Sequence, residues 1–193
     1  MDRGGSQWAD SLPDFVLVTA NPNKRKEAER ILGHRLAAVD LELPEIQSLD
    51  LREVLRAKAE EAWRRLQRPL VVEETGLELA GLNGFPGPLV KWMLKAIGSA
   101  GVARVAIESG DPRALACCAM IYRDASRELL GEGVDGGRLV LPPRGAGGFG
   151  WDPVFEPEGS ELTYGELPIG VKDERGHRGR AWRALAARFR RST

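Results

Sequence analysis

The chain has 193 residues, enough for one hydrophobic core or one core split into two lobes. Charged residues make up 29% and 28 basic side chains balance 28 acidic ones, which excludes a protein held to nucleic acid by overall charge but leaves room for a local basic pocket facing an acidic one. No apolar run approaches the roughly 20 residues of a membrane span, and the opening MDRGGSQWADSLPD lacks the apolar core of a secretory signal.

Residues 1–14 read as a flexible tail and 15–193 as a single domain. Phe15–Thr19 (FVLVT) is predicted to be a short strand. Asn21 then suits a helix N-cap and Pro22 the first helical position, with the helix running over Lys24–Leu32. Leu36–Leu43 is predicted as a second strand ending at Pro44-Glu45. Leu51–Leu66 is predicted helical, and Lys58 interrupts the apolar face made by Leu51, Leu55 and Ala62. Pro69 breaks that helix. Leu70–Val72 is the next strand, ending abruptly in Glu73 and Glu74. A Thr75-Gly76 turn, a Gly/Pro-rich loop and Lys91 follow. Leu89–Ile97 and Gly101–Glu108 are predicted helices. Ala114–Arg123 and Arg127–Val134 are predicted as an antiparallel pair turned at Asp124-Ala125-Ser126, with Arg138–Leu141 as a further strand. Pro142–Gly150 is a glycine-rich loop, and Trp182–Arg191 a closing amphipathic helix. Early strands, a helical middle and late antiparallel strands give a mixed α/β fold. Cys117 and Cys118 are adjacent and would point to opposite faces of a strand, so they read as buried thiols of a reducing compartment, the cytoplasm.

Four groups carry candidate chemistry. The turn at Thr19–Lys24 aims backbone N–H groups and a helix N-terminus at one point, which suits phosphate; it also reads as a plain N-cap with a solvated lysine. Lys58 either points into a cleft or snorkels to an edge. Glu45, Glu73 and Glu74 each follow an apolar run, and hard oxygen ligands of this kind fit Mg²⁺, unless they simply leave the sheet for water. Nothing supports zinc, since His34 and His177 are the only histidines. Finally, Phe149 and Trp151 offer stacking faces among glycines, and Lys172, His177 and Arg178 are donors suited to purine carbonyls. The same segments also read as a core aromatic loop and a solvated basic turn.

Together these pieces resemble the inosine/xanthosine triphosphate pyrophosphatases, the ITPase family that removes deaminated purine nucleotides. The matching pieces are TANPNK, LPEIQ, the Lys58 helix, VEETGL, GFPGPLVKW, GFGWDPVF, TYGELP and Lys172 followed by His177-Arg178, spread from about Phe15 to Leu185. The resemblance implies an elongated two-lobed α/β fold with a long curved mixed sheet, flanking helices and the nucleotide in the cleft between lobes. It implies a cytoplasmic homodimer that acts on a small nucleotide, with neither nucleic acid nor membrane as partner. The implied reaction is Mg²⁺-dependent hydrolysis of ITP, dITP or XTP to the monophosphate and pyrophosphate. Thr19, Asn21, Lys24, Lys58 and Lys91 would hold the triphosphate, with backbone donors at Thr75 and Gly76. Glu45 and Glu73 would be metal carboxylates. Glu74, also near the metal, would be the catalytic group that positions or deprotonates water. Phe149, Trp151 and Asp152 would form the base pocket, read by Lys172, His177 and Arg178.

The chain departs from the family pattern twice at the chemistry. Glu74 stands where an aspartate is usual, and Gly176 where a serine is usual. Three readings follow: an ordinary enzyme that tolerates both changes, one shifted to another nucleotide, or a nucleotide-binding protein with little hydrolysis.

Overall fold

A computed structural model of the chain describes residues 8–190. In chain order its elements are β1 (Val16–Val18), α1 (Pro22–Leu32), β2 (Ala38–Val39), α2 (Leu51–Leu66), β3 (Leu70–Leu79), β4 (Pro86–Gly87), α3 (Val90–Glu108), β5 (Arg113–Arg123), β6 (Glu128–Leu139), β7 (Phe155–Pro157), α4 (Ile169–Arg175) and α5 (His177–Arg190). All seven strands form one open mixed sheet in the order β2-β1-β3-β5-β6-β7, with β4 beside the far end of β3. β1 runs parallel to β2 and β3, and the remaining pairs are antiparallel.

Strand alternation assigns each side chain a face. Leu17, Val71, Cys118, Met120 and Tyr122 pack under α1 and α5, while Val16, Val18, Leu70, Val72, Ala119 and Ile121 pack under α2. A third cluster, containing Leu77, Leu79, Val102, Ala106 and Phe155, fills the far end under α3. The sheet thus carries separate cores at its two ends, in keeping with the expected lobes. Residues 1–7 of the expected tail lie outside the described residues, as does Arg191; Trp8 and Leu12 pack around Ala9 against the α5 side of the core.

Several boundaries differ from the sequence expectation. β3 does not end at Val72, and Thr75-Gly76 is not a turn. Pairing with β5 continues from Leu70↔Arg123 to Leu79↔Ala114, so the partner strand decides where β3 stops. β2 is only two residues long, while Leu41 and Leu43 pack beside α2 without joining a ladder. β6 is one strand rather than two, and its glycines are contact sites rather than breaks. A Cβ at Gly133 would lie 2.2 Å from the His177 carbonyl oxygen, so the missing side chain lets the start of α5 rest on the sheet. The segment over 89–108 bends at Gly98, whose φ of 68° interrupts the helix close to the expected break. α4 is absent from the sequence reading, and α5 begins at His177 instead of Trp182, which places His177 and Arg178 in its first turn. Among the described residues no helix is long and apolar enough to cross a membrane.

Candidate active site

The site forms where the sheet lacks a strand. β1 last pairs with β3 at Val18↔Val72, and β4 first pairs at Leu77↔Gly87. Among the described residues, positions 73–76 of β3 therefore have a ladder partner only on the β5 side. A cleft of about 1160 Å³ opens there. Thr19, Asn21, Lys24, Glu45, Lys58, Glu73, Glu74, Thr75, Lys91, Phe149, Trp151, Asp152, Lys172, His177 and Arg178 all line it. Gly76 does not: β4 covers it, and a Cβ there would lie 3.0 Å from the Gly87 carbonyl carbon.

The expected turn at one end of the cleft is built by local capping. Asn21 Oδ1 accepts from the Asn23 and Lys24 amides at 2.9 and 3.4 Å, and Thr19 Oγ1 accepts from the Asn21 amide at 3.1 Å. The Asn21 oxygen is thus committed to its helix, and its amide NH₂ remains a donor.

On the α2 face, Lys58 Nζ donates to Glu74 Oε2 at 2.6 Å and to Glu45 Oε1 at 3.1 Å, and Lys91 Nζ donates to Glu45 Oε2 at 3.0 Å. Glu74 Oε1 also accepts from the Thr75 amide at 3.1 Å. Burial alone would lower the Lys58 pKa, but Glu74 and Glu45 outweigh it and raise it above the ordinary lysine value. Burial would likewise raise the Glu45 carboxyl, yet Lys58 and Lys91 hold it below. Two carboxylates gathered by one lysine beside an open cleft fit Mg²⁺, which takes few protein ligands and keeps room for water and phosphate. They do not form a closed cage: among the described residues no group of three or more acidic, cysteine or histidine side chains could hold a metal.

Glu73, expected beside them as a third ligand, is not brought to them. As a neighbour in a continuous strand it takes the opposite face, where it is 4% exposed and accepts from Arg178 Nε at 3.1 and 3.2 Å. Lys24 Nζ approaches its Oε1 at 3.4 Å. Arg178 also donates to Glu27 Oε2 at 2.7 Å. Burial would raise the Glu27 carboxyl, but Arg178, Lys172 and Arg30 together hold it below the usual range.

At the base end, Asp152 Oδ2 accepts from Lys172 Nζ at 2.6 Å and from the Phe149 amide at 2.7 Å. Burial raises the Asp152 carboxyl against the pull of Lys172. Phe149 lies over the Lys172 and Arg178 cations at 5.3 and 5.5 Å. The His177 ring stacks on Tyr164 with centroids 5.9 Å apart and planes 16° apart. Tyr164 is fixed by donating to Asp135 Oδ2 at 2.6 Å. Burial first, then Arg178, Lys172 and Lys24, hold the His177 pKa well below 6.5, so the ring is neutral with a single N–H. His177 Nδ1 and Trp151 Nε1 are buried without a hydrogen-bond partner among the described residues. An unpaired polar group in such a place is costly until a ligand satisfies it.

Sequence reasoning missed Glu27, Tyr164 and Asp135 as site residues. Glu27 left a signal like that of Lys58, since it interrupts the apolar face of its helix beside Ala28 and Ile31. Tyr164 sits in the TYGELP piece, but its stacking on His177 depends on where α5 begins.

The profile of the Ham1 family matches residues 15–188. The chain is 43% identical over 178 residues to inosine triphosphate pyrophosphatase 2 of Trypanosoma cruzi, covering 90% of this chain and 91% of that one. It is 37% identical over 179 residues to an inosine triphosphate pyrophosphatase of Batrachochytrium dendrobatidis, covering 91% and 92%. A Ham1 protein from Coxiella burnetii shares the fold with a TM-score of 0.79, at 24% identity over 93% of this chain and all of that one. A nucleoside-triphosphatase, or dITP/XTP pyrophosphatase, from Mycobacterium abscessus superposes with a TM-score of 0.67 at 27% identity, covering 90% and 98%.

Proposed function

The chain belongs to the Ham1 family, and we propose that it hydrolyses deaminated purine nucleoside triphosphates (ITP, dITP or XTP) to the monophosphate and pyrophosphate. The observation that carries this reading is the break in the sheet at 73–76, which gathers lysines and carboxylates at one end of a cleft and buried, unpaired ring nitrogens at the other. The Trypanosoma and Batrachochytrium relatives, both named inosine triphosphate pyrophosphatases, support the same substrate class.

In this proposal Lys24, Lys58 and Lys91 neutralise the triphosphate, helped by the Asn21 side-chain amide, whereas the expected backbone donor at Thr75 is committed to Glu74 Oε1 at 3.1 Å. Glu45 and Glu74 would hold Mg²⁺, which when bound would add positive charge beside the phosphate oxygens. Glu74 orients a water for in-line attack at the α-phosphorus and accepts its proton as the bond to the bridging oxygen breaks and pyrophosphate leaves. The lysines neutralise the charge that develops on that leaving group. Lys172, His177 and Arg178 face the ring, and a 6-oxo group would accept what they donate. An adenine amino group there would leave a donor unmet in a closed pocket, at about 1–3 kcal/mol for each.

The extra methylene of Glu74 does not favour a binding-only protein, because its carboxylate is held at both oxygens inside the cleft by Lys58 and Thr75. The proposal includes a homodimer, supported by Leu115 and Val134, which are 43% and 45% exposed on a stretch of the sheet beyond α2. It also includes a cytoplasmic setting, in which the buried thiols of Cys117 and Cys118 stay reduced. Pyrophosphate release from a nucleotide panel with Mg²⁺ tests the reaction: ITP and XTP should far exceed ATP and GTP, and no release from any purine triphosphate would refute it.

A further inference from the structure

We infer that Glu73 is a positioning residue that couples recognition of the purine ring to binding of the triphosphate. This rests on the substrate class proposed above. Asp152, Lys172, Glu27, Arg178, Glu73 and Lys24 form one chain of alternating charge from the base end of the cleft to the phosphate end. Successive contacts are 2.6, 3.6, 2.7, 3.1 and 3.4 Å. The three acids and three bases balance, and apart from Lys24, whose side chain is 14% exposed, none exceeds 5%.

Two oxygens in this chain are shared. Glu73 Oε1 faces both Arg178 Nε and Lys24 Nζ, and Glu27 Oε2 faces both Arg178 and Lys172. Each acid thus divides one oxygen between a cation at the base end and another cation. A triphosphate that draws Lys24 away leaves Glu73 Oε1 to Arg178 alone. A buried carboxylate that loses one cation tightens on the one it keeps, because water cannot replace the lost charge. Arg178 then settles on Glu73, and Glu27 Oε2 turns to Lys172. The two cations facing the ring are fixed most firmly when phosphate is bound, and by thermodynamic reciprocity the right ring strengthens phosphate binding by the same factor. Phe149, which rests on both Lys172 and Arg178, would register the same shift.

Calorimetric affinities for IMP, AMP and the α,β-methylene analogues of ITP and ATP, all with Mg²⁺, test this. In the native protein the inosine-over-adenosine preference should be about tenfold larger for the triphosphate analogues than for the monophosphates. In Glu73→Gln the two preferences should agree within about twofold. A merely structural role would weaken all four ligands together and leave the preferences unchanged. Because Glu73→Gln disturbs a buried pair, Lys24→Met serves as a second variant that breaks the chain without touching Arg178. Equal preferences in the native protein, or survival of the difference in either folded variant, would overturn the coupling. Absence of any inosine preference at either phosphate length would overturn the proposed substrate class and the coupling with it.

Discussion

Glu73 and Glu74 are adjacent in β3 yet face opposite sides of the sheet: Glu73 closes on Arg178 at 3.1 Å and Glu74 on Lys58 at 2.6 Å. Two carboxylates that read as one acidic pair therefore belong to two different electrostatic systems. One is the buried counter-ion of the base end, and the other stands in the open cleft with Glu45.

That separation predicts distinct phenotypes at position 74. Glu74→Gln keeps the shape and the Thr75 contact but removes the charge that accepts a proton. It should lower kcat by about 10²–10⁴-fold while leaving the melting temperature nearly unchanged. Glu74→Asp keeps the charge and withdraws it by roughly 1.5 Å, one carbon–carbon bond. The cleft is open enough for water to fill that distance, so turnover should stay within about tenfold of native. Steady-state pyrophosphate release reads both, and a loss beyond about 10²-fold in Glu74→Asp would mean that the site is built around the longer side chain.

Glu45 carries a different expectation. It bridges Lys58 and Lys91, so its loss frees two lysines and removes one proposed metal oxygen. Glu45→Gln should raise the Mg²⁺ concentration needed for half-maximal turnover by at least about tenfold, with a smaller effect on kcat at saturating Mg²⁺. A chelator should abolish turnover yet shift the melting temperature little, because Lys58 and Lys91 together already neutralise the two carboxylates in the absence of metal. An unaltered Mg²⁺ requirement in Glu45→Gln would remove Glu45 from the metal site.

How much of this was legible follows from which interactions are local. The Asn21 cap and the full extent of α2 rest on side chains within a few residues of each other, and both follow from the sequence. Lys58 is conspicuous because a cation interrupts an apolar helical face. The division of labour between Glu73 and Glu74 is not local. It requires β3 to continue past Val72, and that continuation is fixed by β5, which lies some forty residues further on in the chain. The start of α5 is equally hidden: Gly179 disfavours a helix, and no capping side chain directly precedes His177, where Gly176 stands. It is held by Gly133 beneath it and by Arg180, which donates to Asp135 at 3.0 Å and to the Val134 carbonyl at 2.9 Å.

The burial of His177 gives stability a pH dependence of known sign. An unfolded histidine titrates near 6.5, whereas burial, then Arg178, Lys172 and Lys24, hold the folded value well below that. Below pH 6.5 the unfolded chain takes up a proton that the folded chain refuses. The stability linked to His177 is therefore complete above about pH 6.5 and lost as pH falls towards the folded value. The depressed carboxyls of Glu27 and Glu45 act only below their unfolded value of 4.5, and the raised carboxyl of Asp152 opposes this trend. Melting temperatures between pH 7.5 and 5 should fall in the native protein and fall less in His177→Gln. Parallel curves for the two proteins would show that another group carries the effect.

The last expectation concerns the serine that this chain lacks. Gly176 has an extended backbone with φ of −69°, so conformational freedom does not call for glycine there. Space does. A Cβ at Gly176 would lie 2.7 Å from the Lys172 carbonyl oxygen and 3.3 Å from the Tyr164 hydroxyl. Lys172 belongs to the last turns of α4, which Arg30 ties to α1 through Asp173 at 2.7 Å, so the elbow between α4 and α5 cannot yield without moving a side chain that faces the ring. Gly176→Ser should therefore cost about 1–3 kcal/mol of stability, as overpacking of a filled site does. Because Lys172 moves with the elbow while Lys58 and Glu74 stand on other elements, KM for ITP should rise several-fold and kcat change little. Thermal unfolding and steady-state kinetics on the one variant decide it. A serine accepted without loss in either would mean that the elbow has slack and that the glycine plays no part in setting the base pocket.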